Sequence, residues 1–196
     1  MNIRLSVRFM VLAFALIYSF SADRCLAEDL PVHKNWGGEF TLTDQNGLDI
    51  SLSDFRDKVV LITFGYTHCP DVCPNTLFSM RSVIDKLGDV AENVHVIFIT
   101  LDPERDYKER LKAFVEYFNP NFVALTGSEA QIKSVADLYH VRYNKVHMDD
   151  SEMGYSIDHS AAIYLHDQQN RMRAAYKISA PPKRIAQDVK KLLVND

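Results

Sequence analysis

The chain has 196 residues, 47% of them hydrophobic and 24% charged, with a formal net charge of −4. That is the composition of a single soluble domain with a core of its own. With 7 Gly and 7 Pro, no tract of either and no internal repeat, it has no place for a long linker or a low-complexity tail.

At the N-terminus, Arg4 and Arg8 precede an apolar run from Phe9 to Phe20, followed by the polar Ser21, Asp23 and Arg24. This is the layout of a signal peptide. The run holds 12 residues, whereas a membrane-spanning helix needs about 20. Residues 1–27 are therefore expected to be a leader cleaved after Ala27, or else a short membrane anchor, with residues 28–196 as the working domain. Ala22, Asp23 and Arg24 do not make the small apolar approach that lipidation of Cys25 requires, so Cys25 is assigned to the leader. Losing three arginines and one aspartate with the leader moves the net charge from −4 to −6, which argues against nucleic acid as a partner. The expected location is the periplasm, free or tethered to the inner membrane.

Phe40 to Asp54 predicts a hairpin around the turn Asp44-Gln45-Asn46-Gly47. Val59 to Phe64 is a continuous β-branched and apolar run, the pattern of a central strand buried on both faces. It feeds Gly65-Tyr66-Thr67-His68-Cys69-Pro70-Asp71-Val72-Cys73-Pro74, after which Leu77, Met80, Val83, Ile84 and Leu87 recur at helical spacing. Val94 to Leu101 predicts a second buried strand, Asp106 to Phe118 an amphipathic helix, Phe122 to Leu125 a short strand and Ser128 to Tyr139 another helix. Asp102-Pro103 reads as a turn and Asp106 as a helix N-cap. Val141 to Val146 is expected as an edge strand. Ala161 to Leu165 and Arg173 to Ile178 form a hairpin around Asp167 to Asn170, and Pro182 to Leu193 is a closing helix. Alternating strands and helices imply an α/β fold with a central sheet flanked by helices.

Cys69 and Cys73 are four residues apart, too close for a disulfide between them to restrict the unfolded chain much, so the pair reads as chemical rather than structural. Both lie at the carboxyl edge of the sheet, where open α/β sheets place their sites. Pro70 keeps Cys69 out of helical dihedrals, and Asp71 or Cys73 caps the helix that follows. Thiols at a helix N-terminus favour the thiolate, and two thiolates select Cu(I) or Zn(II) over Mg(II) or Ca(II). Two sulfurs alone leave an ion open to further ligands. Of seven histidines, His159 stands in Ile157-Asp158-His159-Ser160, a loop leading into a strand, although spacing alone does not bring it to the cysteines. His68 adjoins Cys69 but is expected to point away from a shared metal. His147 falls in a polar loop with Met148 and Met153.

The segment Gly65 to Pro74 resembles the Sco/SenC family of copper metallochaperones. The resemblance continues through Phe98-Ile99-Thr100-Leu101-Asp102-Pro103-Glu104-Arg105-Asp106, through Leu125-Thr126-Gly127 and through Asp158-His159-Ser160, and covers residues 35 to 195. It implies a thioredoxin-like fold, here with an N-terminal β-hairpin extension, and copper, as Cu(I) or Cu(II), held by Cys69, Cys73 and His159. It also implies delivery of copper to the binuclear copper site of cytochrome c oxidase subunit II, or reduction of that site's cysteines. Expected partners are that subunit or another copper chaperone, with the chain itself a monomer. Asn75 and Thr76 replace the family's usual acidic pair, and Leu101 and Tyr107 flank the acidic segment atypically. The less acidic helix start bears on partner docking.

The principal alternative is a thiol-disulfide oxidoreductase of thioredoxin type with no obligatory metal, using Cys69 and Cys73 as its redox pair. In thioredoxins a proline faces the thiols, where this chain carries His159-Ser160. A peroxidase of peroxiredoxin type lacks an assignable Thr and Arg beside a single cysteine, and an inert scaffold would leave reactive thiols idle.

Overall fold

The computed structural model describes residues 30–148, 151 and 153–194. The leader expected over residues 1–27, Cys25 included, lies outside the described residues. Among the described residues no helix is long and apolar enough to cross a membrane.

Strand β1 (Thr41–Asp44) pairs antiparallel with β2 (Asp49–Ser51), Leu42 facing Ile50. The Asp44 carboxylate closes the turn by accepting the N–H groups of Asn46 and Leu48 at 2.8 Å each. Gly47 supplies a φ of 86° there, a left-handed conformation that costs other residues about 1–2 kcal/mol. After a 3-10 turn (Leu52–Phe55) comes β3 (Val59–Gly65), buried at every position. Full burial of each large apolar side chain in it stabilises by about 1.5–3 kcal/mol. Helix α1 (Val72–Leu87) buries Leu77, Met80, Val83 and Leu87 on one stripe. Strand β4 (Val94–Thr100), helix α2 (Lys108–Phe118), strand β5 (Val123–Thr126) and helix α3 (Glu129–Leu138) follow. Ser128 and Gln131 make the capping box that starts α3. The chain ends in β6 (Tyr143–His147), β7 (Tyr155–His159), β8 (Ala162–His166), β9 (Met172–Lys177) and α4 (Pro182–Val194).

Seven strands form one mixed sheet in the order β2-β1-β5-β4-β3-β8-β9. Strands β3, β4 and β5 are parallel, and the remaining pairings are antiparallel. Helix α1 packs against both α2 and α4, and Phe98 of β4 meets Phe114 of α2. The two crossovers thus share one face, as the handedness rule requires for strands added in one direction. On the other face Phe64 packs against Tyr139, at the end of α3, and Tyr164. The result is the expected thioredoxin-like fold, with the first hairpin added at one edge. At the opposite edge, the His33 N–H donates to the Met172 carbonyl at 2.9 Å, and Arg173 Nε donates to the Leu30 carbonyl at 2.9 Å.

Four expectations are corrected. The segment 141–146 is not an edge of the central sheet, because β6 pairs with β7 in a separate two-stranded sheet. Residues 144–147 are all exposed and offer no apolar face for the core. Ile157 to His159 is strand rather than loop, and His147 is the last residue of β6. Asp106 does not cap α2, whose N-cap position is Tyr107 with no side-chain capping bond.

Candidate metal centre

Strand β3 ends at Gly65, and the chain turns there into the cysteine loop. The Gly65 carbonyl is held by the Leu101 N–H at 2.7 Å, and the Cys69 N–H donates to the Tyr66 carbonyl at 3.2 Å. A Cβ at position 65 would lie 2.6 Å from Cys73 Sγ and 2.9 Å from a Phe98 ring carbon. Glycine therefore makes the space in which Cys73, 3% exposed, sits under the sheet edge. Cys69 is half-buried, and its sulfur accepts the Cys73 N–H at 3.4 Å. Asp71 occupies the N-cap position of α1 but bonds Asn75 at 2.6 Å instead of capping an amide. Of the two residues expected to bear on docking, Thr76 turns inward and donates to the Val72 carbonyl, leaving Asn75 on the surface.

His159, the last residue of β7, brings Nε2 to 3.7 Å from Cys73 Sγ. Its Nδ1 lies 3.2 Å from the Ser160 carbonyl, which can only accept, so Nδ1 carries a proton and Nε2 is the edge presented to the sulfurs. The Tyr66 ring stands edge-on to the imidazole at 6.2 Å.

The two sulfurs titrate as one coupled unit. A hydrogen bond from the Cys73 thiol holds Cys69 far below the ordinary thiol range against the opposing effect of burial, with smaller help from His159 and the backbone N–H groups of Asp71 and Cys73. The same bond, followed by burial, pushes Cys73 up. At neutral pH the pair therefore shares a single proton. Displacing it leaves two thiolates, that of Cys73 beside the imidazole edge, and two thiolates with an imidazole are a donor set suited to a soft ion. An ion about 2.3 Å from sulfur and about 2.05 Å from nitrogen, with bonds roughly 120° apart, needs those donors about 3.8 Å apart. The separation of Cys73 and His159 fits that requirement.

His68 points away from the sulfurs, with Nδ1 at 3.8 Å from Asp106. His68, Asp102 and Asp106 gather within 4.8 Å, but this group is already occupied by cations and hydroxyls. Arg105 pairs with Asp102 at 2.5 Å, Arg110 donates to Thr67 Oγ1 at 2.7 Å, and Thr67 and Thr100 donate to Asp106. Sequence reading missed the roles of Asp102, Arg105, Asp106 and Tyr155. A signal for β7 was present in the alternation of Tyr155, Ile157 and His159 with Ser156 and Asp158.

A family model described as SCO1/SenC matches residues 28–194. The chain belongs to the SCO1/SenC family. An SCO2-like protein of Rickettsia conorii is 39% identical over 147 residues, covering 75% of this chain and 72% of the relative. The solved structure of Bradyrhizobium japonicum ScoI with copper bound is 40% identical, with a TM-score of 0.73 over 81% of this chain and 99% of that one. BsSco, a member of the Sco family of cytochrome c oxidase assembly proteins, shares the fold at 24% identity and a TM-score of 0.68, over 85% of this chain and 98% of its own. In this SCO1/SenC chain, His159 lies beside Cys73, and Cys69 accepts the Cys73 N–H.

Proposed function

We propose that this chain is a copper metallochaperone that holds Cu(I) through Cys69, Cys73 and His159. Acting as a monomer on the exported side of the membrane, it passes the ion to the binuclear copper site of cytochrome c oxidase subunit II. The observation that carries the reading is the 3.7 Å approach of His159 Nε2 to Cys73 Sγ, with the other ring nitrogen turned to a carbonyl. The copper-bound ScoI relative supports the cargo, the resemblance of the Gly65 to Pro74 and Asp158 to Ser160 segments the destination, and the leader pattern of residues 1–27 the export. Cu(I) is favoured over Cu(II) because two thiolates and one imidazole form a soft, low-coordinate set.

The test is titration of the reduced protein with Cu(I) against a competing chelator. Wild type should take up one ion, and Cys69→Ser or Cys73→Ser should each lower the affinity more than 100-fold, beyond the roughly 10–100-fold typical of residues behind the ligands. Unchanged binding in both variants overturns the assignment.

The unequal burial of Cys69 and Cys73, both free thiols, favours thiol-disulfide exchange as a companion activity. The accessible Cys69 thiolate attacks one sulfur of a target disulfide and expels the other as thiolate. Cys73, losing its proton, then attacks Cys69 and releases the second target sulfur. The target gains two electrons, and the chain ends with Cys69 joined to Cys73.

A further inference from the structure

The cysteine loop and the histidine hairpin are far apart in sequence, yet the β4–α2 loop, residues 101–107, touches both. We propose that this loop is the positioning frame of the metal site: Asp106 sets the cysteine loop, and Arg105, braced by Asp102, sets the hairpin that carries His159. The inference rests on the reading of Cys69, Cys73 and His159 as copper ligands.

Asp106 is fully buried. Its Oδ2 accepts the Thr67 N–H at 2.9 Å and the Thr100 hydroxyl at 2.6 Å, while Oδ1 accepts the Thr67 hydroxyl at 2.5 Å. Arg110 donates to that same hydroxyl oxygen, which directs the Thr67 proton toward Asp106. The backbone and side chain of Thr67 are thereby fixed two residues before Cys69. A carboxylate this deeply buried persists only if its oxygens are satisfied, and the groups that satisfy it belong to the cysteine loop and the end of β4 instead of the helix it precedes.

The hairpin presents the opposite problem. Among the described residues, strands β6 and β7 pair only with each other, so beyond the seating of Ile157 in the core their placement over the sulfurs depends on polar side-chain ties. Arg105 Nη1 donates to the carbonyls of Met153 and Tyr155 at 3.0 and 2.9 Å. The guanidinium carbon lies 3.5 Å from the Tyr155 ring centroid. Arg105 Nε donates to Asp102 Oδ2 at 2.5 Å, and Asp102 Oδ1 accepts the Tyr155 hydroxyl at 2.7 Å. Tyr155 opens the strand that His159 ends. A forked cation can grip two carbonyls and a carboxylate together, which an ammonium cannot.

The test is a double-mutant cycle on Cu(I) affinity, read by chelator competition. Arg105→Lys keeps the charge beside Asp102 but loses the fork, and should lower affinity about 10–100-fold. In a His159→Ala background the same change should cost nothing further, because the group it positions is gone. Tyr155→Phe should act in the same direction with a smaller factor. X-ray absorption of copper-loaded Arg105→Lys should lose nitrogen scattering as His159→Ala does. Asp106→Asn acts on the sulfurs, so it should weaken binding by a similar factor in both backgrounds. If Asp106→Asn does not fold, Thr67→Val, which removes only the hydroxyl facing Asp106, reports on the same half.

Wild-type affinity in Arg105→Lys, or an equal loss in both backgrounds, overturns the frame while leaving the ligands standing. Failure of wild type to bind Cu(I), or an unchanged affinity in His159→Ala, overturns the ligand reading and the frame with it.

Discussion

The cysteine loop and the histidine hairpin meet at one point but are built in opposite ways. The cysteines sit between a fully buried strand and a helix that packs against two others, and Cys73 fills a space that only glycine at position 65 leaves open. His159 rides on a two-stranded sheet whose β6 face is largely exposed and which no central strand extends. Strand and helix packing is cooperative, whereas ties through a few side chains can open locally at low cost. Two proposed ligands are thus fixed to the platform and the third is mounted on an arm, an arrangement suited to holding an ion and then giving it up.

Three measurements sharpen or break this contrast. The largest expected effect lies deep in the platform. His166, fully buried on β8, has its pKa lowered by burial to about 4. Because the unfolded chain binds that proton more readily, the stabilisation is complete above pH 6.5 and is lost as pH falls toward 4, by up to about 3 kcal/mol. Urea unfolding at pH 7 and pH 4.5 should show the loss, and His166→Gln should remove that share of it. An unaltered pH dependence in the variant would mean His166 is not the group responsible.

Second, Gly65→Ala should destabilise by about 1–3 kcal/mol through overpacking against Cys73 and Phe98. It should also raise the rate at which a thiol reagent reaches Cys73. A variant with wild-type stability and wild-type thiol reactivity would show that the sulfur is not held by this contact.

The smallest effect on folding belongs to the arm. His159→Ala should change stability by no more than about 0.5 kcal/mol, as for an ordinary surface substitution. It should nonetheless lower Cu(I) affinity while leaving reduction of a model disulfide near wild type. If affinity is kept and reductase turnover lost, the histidine serves thiol exchange, and the oxidoreductase reading takes first place.

What the sequence disclosed follows the same division. The run Val59 to Phe64 and the spacing of Leu77, Met80, Val83 and Leu87 are local patterns, so the platform and its cysteine loop could be read directly. The arm could not be read that way. Strands β6 and β7 are short and largely polar, and the separation of 86 positions from Cys73 to His159 carries no signal that they meet; the family resemblance supplied that pairing. Asp106 misled for a physical reason, since an aspartate just ahead of a helix is the ordinary sign of a cap. Its partners, Thr67 and Thr100, are brought to it by the parallel pairing of β3 and β4.

The two edges of the central sheet bear on how the protein behaves in company. Unpaired strand edges are templates for joining another chain and so for aggregation. At one edge β2 is only three residues long and carries Asp49, which leaves little to copy. At the other, β9 is six residues long, but the segment from Leu30 to His33 lies along it, bound to Arg173 and Met172. Those few residues act as a guard strip, so trimming the chain beyond His33 should cost colloidal stability before it costs the fold.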